Sequence, residues 1–238
     1  MRRIFALLLL GVVSACSVRE TACGKKPSPQ AQQAASQINA ATVGEHRQAK
    51  ILFLGDSITA GYGLNPDQAY PSALQQRFSA DGYGEVEVVN AGVSGDTSAG
   101  GLRRLDQILE SDIRIVVIAL GGNDALRGLT TMQTHDNLAG IISKALGRNY
   151  EVMLVGMEAP TNLGQDYQER FHELFVQLLR DFRGKITFVP FLLEGVAGNP
   201  ALNQPDGIHP TEEGQKVIAA TLYPPLKNMV DMLTPGGG

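Results

Sequence analysis

The sequence predicts an α/β domain built on a parallel sheet with helices on both faces. Three observations predict it. From residue 49 onward, apolar runs alternate with segments of helical period. Two of the runs, "ILFL" and "IVVIAL", are apolar without interruption, as strands covered on both faces are. Each conspicuous polar cluster follows a strand, which gathers them at one edge of the sheet. The chain has 238 residues, enough for one such domain with a sizeable core, and no internal repeat or second domain is evident.

The N-terminus precedes the fold. Arg2 and Arg3 lead into an apolar run over residues 4–13, too short to span a bilayer comfortably and suited to the core of a signal peptide over 1–15. The "VSAC" of residues 13–16 resembles a bacterial lipobox, in which the cysteine is acylated and becomes the new N-terminus. The alternative is an ordinary cleavable signal that contains a cysteine. Acylation of Cys16 implies a lipoprotein on the periplasmic face of a bacterial membrane, its chains holding through about 0.8 kcal/mol per buried CH₂; otherwise the protein is periplasmic or secreted. An acylated Cys16 leaves Cys23, the only other cysteine, without an intramolecular disulfide. Both lie too near the terminus to suggest thiol catalysis or a metal site. Residues 16–48 read as a lipidated flexible tether, with Lys, Pro, Ser, Gln and Ala dominating 24–48.

The domain is expected over 49–230, with a disordered tail over 231–238. Strands are expected at 50–55, 86–90, 114–120, 152–157 and 186–190, and helices near 69–80, 98–110, 131–147, 165–182 and 212–230. The fourth helix has the clearest period: Tyr167, Phe171, Leu174, Phe175, Leu178 and Phe182 recur at three and four residues. "EVEVV" alternates polar and apolar as an edge strand does. A helix entry with Pro210 at its first position and Glu212 and Glu213 in its first turn would also explain the sequence around residue 209 structurally.

Ligands in such sheets bind beyond the carboxyl ends of the strands. The segments found there are "GDSITAGYG", "NAGVSGDTSAGG", "GGNDALRG", "EAPTNLG" and "DGIHP". Ser57 is either a nucleophile or a turn-capping residue. A nucleophilic serine needs a base and a group to orient that base. Of the four histidines, His46 lies in the tether, and His135 and His172 lie in amphipathic helices as structural or surface residues. His209 follows Asp206 by three residues in a Gly-Pro-rich turn, so one loop presents both side chains. The D-x-x-H spacing alone is also met by a helix start; with Ser57 it makes a candidate triad.

Other chemistries find less support. G-x-S-x-G is absent, which disfavours the common α/β-hydrolase elbow. Neither phosphate-binding glycine motif occurs, and no lysine lies in these loops. Asp56, Asp124, Asp206 and His209 have no recognised metal-ligand spacing. Net charge is −4, or −6 once Arg2 and Arg3 are removed with the signal, and no basic cluster suits nucleic acid. No metal or organic cofactor is expected.

"GDSITAGYG", "NAGVSGDT", "LGGND" and "DGIHP" resemble the four blocks of the SGNH (GDSL-type) hydrolase superfamily, nearest its periplasmic branch of multifunctional thioesterases, lysophospholipases and arylesterases. The resemblance covers about residues 49–230, with the blocks in order. It implies a flavodoxin-like α/β/α sandwich with strand order 2-1-3-4-5. It implies Ser57 as nucleophile, His209 as general base and then acid, and Asp206 as its orienting group. The oxyanion hole it implies comprises the backbone N–H groups of Ser57 and Gly95 and the side-chain amide of Asn123. "GDSIT" departs from the usual "GDSLS" but preserves apolar and hydroxyl character. Asp96 and Asp124 are assigned loop-positioning roles. Substrates implied are aryl esters, lysophospholipids and acyl thioesters; the alternatives are carbohydrate O-deacetylation, as in other members, or non-catalytic lipid binding. The "EAPTNLG" segment is expected to border an acyl channel, with Leu163 as an apolar contact.

Overall fold

In the computed structural model, which describes residues 49–233, "ILFL" forms the middle of β1, Ala49–Gly55. The other strands are β2 (Val86–Gly92), β3 (Ile113–Ala119), β4 (Glu151–Val155) and β5 (Thr187–Val189). All pair in parallel in the order β2-β1-β3-β4-β5. Central strands covered on both faces are apolar throughout: Ile51, Phe53 and Leu54 of β1 and Ile115, Val116, Val117 and Ile118 of β3 are wholly buried. β2 stands at an edge, as its alternation predicts.

The helices are α1 (Ser57–Ala60), α2 (Tyr70–Ala80), α3 (Ser98–Ile108), α4 (Gly122–Leu126), α5 (Thr131–Gly147), α6 (Gln165–Asp181) and α7 (Glu212–Met232). α2 packs on α7, α3 on α5, and α5 on α6. Right-handed crossovers place α2 on one face of the sheet and α3, α5 and α6 on the other, and α7, which follows the last strand, packs beside α2. In α6, Phe171, Leu174, Phe175 and Leu178 are buried, on the face its period marks. Each such side chain contributes about 1.5–3 kcal/mol on burial.

Two features depart from the sequence expectation. α1 and α4 are single turns, too short to show a hydrophobic period. α7 runs unbroken through Pro224 and Pro225 to Met232. An interior proline forfeits a backbone bond and costs about 3 kcal/mol. Around this pair Leu222, Tyr223, Leu226, Met229 and Val230 are all buried, so packing outweighs propensity. Leu233 is buried as well, which moves the end of the folded domain past 230. Residues 234–238 lie outside the described residues, as do 1–48 with the signal, Cys16 and tether expectations.

Strand register brings the polar segments level with one another. Gly55 pairs with Gly92 on one side and Ala119 on the other, so three strands end together. The chain leaves β1 for β2 on one flank and reaches β3 on the other. β1 is thus the point where strand order reverses, and α1 and α4 start side by side beyond it.

Candidate active site

α1 begins abruptly. Asp56 caps it, its Oδ1 accepting the Ile58 N–H at 3.0 Å, and Ser57 is its first residue. The turn is tight enough that a Cβ on Gly55 would overlap the Thr59 hydroxyl, and one on Gly92 would overlap the backbone of Ala60. Glycine at both positions lets β1 fold back and β2 approach it. Buried Gln215 of α7 then fixes α1 from below: its Nε2 donates to Ile58 O at 3.0 Å and its Oε1 accepts the Tyr70 N–H at 2.9 Å.

The loop between β5 and α7 supplies the histidine. Oδ1 of Asp206 accepts the N–H groups of Ile208 and His209 at 2.9 and 3.0 Å, while Oδ2 lies 2.6 Å from His209 Nδ1. The carboxylate accepts only, so in the neutral ring the proton sits on Nδ1 and Nε2 presents a lone pair. Ser57 Oγ lies 2.9 Å from that Nε2. The hydrogen bond from the His209 ring, with the two backbone N–H bonds, holds the Asp206 carboxyl down at about 2. Gln204 stitches this loop to the segment after α1, donating from Nε2 to Tyr62 O and Pro210 O at 2.7 and 3.0 Å. The Tyr62 ring covers the imidazole at 4.6 Å between centroids.

Asn123 projects from α4 into the same cleft, and its Nδ2 donates to Asp56 Oδ2 at 3.1 Å. Its neighbour Asp124 is fully buried and gathers Ser98 and Thr134: it accepts Ser98 N–H at 2.8 Å, Thr134 Oγ1–H at 3.2 Å and the Ser98 hydroxyl. Asp96 pairs with Arg104 at 2.7 Å, and Arg104 Nη2 also donates to Gly55 O at 3.1 Å. Asp96 thus holds its loop to α3, as expected from the sequence, whereas Asp124 ties α4 to α3 and α5. Gly95 lies in the loop after β2 with φ +79°, and its carbonyl accepts from Arg127 Nη2 at 2.7 Å. It is not among the residues that line the cleft.

That cleft has a volume of about 530 Å³. Ser57, Asn123 and His209 line it together with the apolar residues Leu126, Met157, Ala159, Phe191, Leu193 and Ile208. Leu163 is not among the residues that line it. The "EAPTNLG" segment does border the cleft, but Thr161–Leu163 forms a 3₁₀ turn. With three residues per turn, Thr161 and Asn162 face the cleft and Leu163 does not.

The structure therefore brings together Ser57, His209, Asp206 and Asn123, with Gly95 one loop away. Sequence reasoning misses the Asp56–Asn123 bond, the Tyr62–His209 contact and the apolar residues Met157 and Phe191. The "GDS" block offers a signal for Asp56, since an aspartate before a helix start is a cap. Among the described residues, no three His, Cys, Asp or Glu side chains are placed to hold a metal ion.

Residues 53–217 match the GDSL-like lipase/acylhydrolase family. The chain is 42% identical to "Esterase TesA" of Pseudomonas aeruginosa over 181 residues, 76% of this chain and 89% of the relative. It is 36% identical to "Thioesterase 1/protease 1/lysophospholipase L1" of Escherichia coli K12, over 76% of this chain and 85% of the relative. An "Arylesterase" of Vibrio mimicus is 35% identical over 71% of this chain and 84% of its own length. The crystal structure of TesA matches with a TM-score of 0.71, covering 76% of this chain and 99% of that one at 42% identity. So does the psychrotrophic esterase EstA from Pseudoalteromonas in a form inhibited by monoethylphosphonate, with a TM-score of 0.71, 33% identity, and coverage of 76% and 98%.

Proposed function

Because the chain belongs to the GDSL-like lipase/acylhydrolase family and is a carboxylic-ester hydrolase, we propose that it cleaves acyl esters by covalent catalysis at Ser57. The observation that carries this reading is the continuous line from Asp206 to His209 to Ser57, with separations of 2.6 and 2.9 Å. Ser57 Oγ attacks the acyl carbonyl as His209 Nε2 takes its proton; the ring then returns the proton to the leaving alcohol or thiol. Asp206 fixes the tautomer and stabilises the imidazolium. The backbone N–H groups of Ser57 and Gly95 and the Asn123 amide receive the oxyanion, each such donor acting mainly in the transition state. Water activated by His209 releases the acyl group in a second step.

The substrates proposed are aryl esters, lysophospholipids and acyl thioesters, the chemistries named for the relatives. The apolar cleft wall supports an acyl chain over a carbohydrate. We also propose that acylated Cys16 tethers the enzyme to the periplasmic face of a membrane. A fluorophosphonate tests the catalytic reading: it should label Ser57 alone, and the Ser57→Ala variant should neither label nor turn over p-nitrophenyl butyrate. Full turnover by Ser57→Ala overturns it.

A further inference from the structure

Asp56 is a buried carboxylate that the mechanism above leaves without a task. It is 2% exposed, and burial pushes its carboxyl up to about 6 against the opposing pull of two hydrogen bonds. Those bonds use both oxygens: Oδ1 accepts from Ile58 N and Oδ2 from Asn123 Nδ2, at 3.0 and 3.1 Å. Capping α1 does not require a charge. Asparagine and serine cap helices about as well as aspartate and avoid the desolvation of an ion. What a carboxylate adds is a second acceptor with no donor.

That property matters to the partner. The two ends of an asparagine amide are nearly identical in shape, so only a neighbour of fixed polarity decides which end faces where. A neighbour that solely accepts binds the NH₂ end. We infer that Asp56 is the positioning residue for the oxyanion donor: it holds the Asn123 amide by one Nδ2 hydrogen and leaves the other for the cleft that Asn123 lines. This rests on the proposed oxyanion role of Asn123. The carboxylate reaches the reaction only through that amide and is not itself a catalytic residue.

Asp56→Asn separates this task from capping. An asparagine at 56 keeps Oδ1 for the Ile58 N–H but turns an NH₂ toward the NH₂ of Asn123. The Asn123 amide must then shift or turn over, and the donor leaves its place. Wild type, Asp56→Asn, Asn123→Ala and the double variant are compared as full chains on p-nitrophenyl butyrate, with thermal melts alongside. Asp56→Asn should lower kcat by about tenfold or more and change KM by less than about threefold. In the Asn123→Ala background the same substitution should change kcat by less than about twofold, because the group it acts through is gone. Asp56→Ser, which also caps α1 but is too short to reach Asn123, should reproduce the loss should the asparagine variant fold poorly. Unchanged kcat in Asp56→Asn overturns the inference. So does an equal loss in both backgrounds, which would place its effect on α1 and Ser57. If Asn123→Ala keeps its kcat, the oxyanion reading itself falls and takes this inference with it.

Discussion

Ser57 Oγ and His209 Nε2 meet at 2.9 Å although 152 residues separate them in the chain. One follows the first strand of the sheet and the other follows the last, and parallel pairing brings both strand ends to the same edge.

If this pair acts as a unit, removing either partner removes the shared step. Ser57→Ala, His209→Ala and the double variant should have residual rates on a short aryl ester within about tenfold of one another. Losses that multiply in the double variant would show two independent contributions.

Asn123→Ala should lower kcat by about 10²–10³ with KM nearly unchanged, as expected for a donor used in the transition state. Asn123→Asp should be at least as damaging, since a carboxylate offers no donor and repels the forming oxyanion. Rates are taken per folded molecule after thermal melting. A variant that melts far lower but keeps its kcat marks a structural asparagine.

Asp206 links the site to stability. Its carboxyl is held at about 2, below its ordinary value near 3.9. The unfolded chain therefore binds the proton more readily, and the stabilisation is complete above about pH 4 to 5 and lost as pH falls toward 2. Chemical denaturation of wild type and Asp206→Asn should show a gap that is constant from about pH 5 to 7 and closes between about pH 4 and 2. A gap that is flat across the whole range would mean that the Asp206 bonds do not favour its ionised form.

Phe191 lines the cleft and Leu163 does not. Phe191→Ala should penalise decanoyl esters relative to acetyl esters by about tenfold or more, a lost apolar contact being worth about 1–3 kcal/mol only where the chain reaches it. Leu163→Ala should leave the ratio of the two unchanged. The reverse pattern would restore Leu163 as the chain contact.

For the address, labelled palmitate should enter the wild-type protein and not Cys16→Ala, and only the wild type should sediment with membranes. A wild type that takes up no label and is released in soluble form would show an ordinary secreted enzyme.

The parallel sheet and the grouping of Ser57, Asp206 and His209 at one edge are legible in the sequence for a physical reason, whereas the strand order and the place of Asn123 are what the family resemblance implies. Uninterrupted apolar runs mark central strands, and short motifs after them must converge because parallel strands share an edge. Which side chains of the 161–163 turn line the cleft is not legible, because order along a loop does not say which way a 3₁₀ turn rotates them. The Asp56–Asn123 bond joins residues 67 apart, and no local pattern reveals such a pairing. The helical path through Pro224 and Pro225 is equally hidden, since it depends on what α7 packs against.

Gln215 has a consequence for when the enzyme becomes active. It joins the last helix to α1 and to the start of α2, and the histidine loop immediately precedes that helix. A ribosome adding about 5–20 residues per second leaves roughly 8–30 s between making Ser57 and making His209. Throughout that interval the nascent chain carries the proposed nucleophile just after the first strand, without the histidine proposed to activate it. On the proposed mechanism, ester hydrolysis then awaits the docking of α7, because Ser57 meets its base only once the loop ahead of that helix is in place.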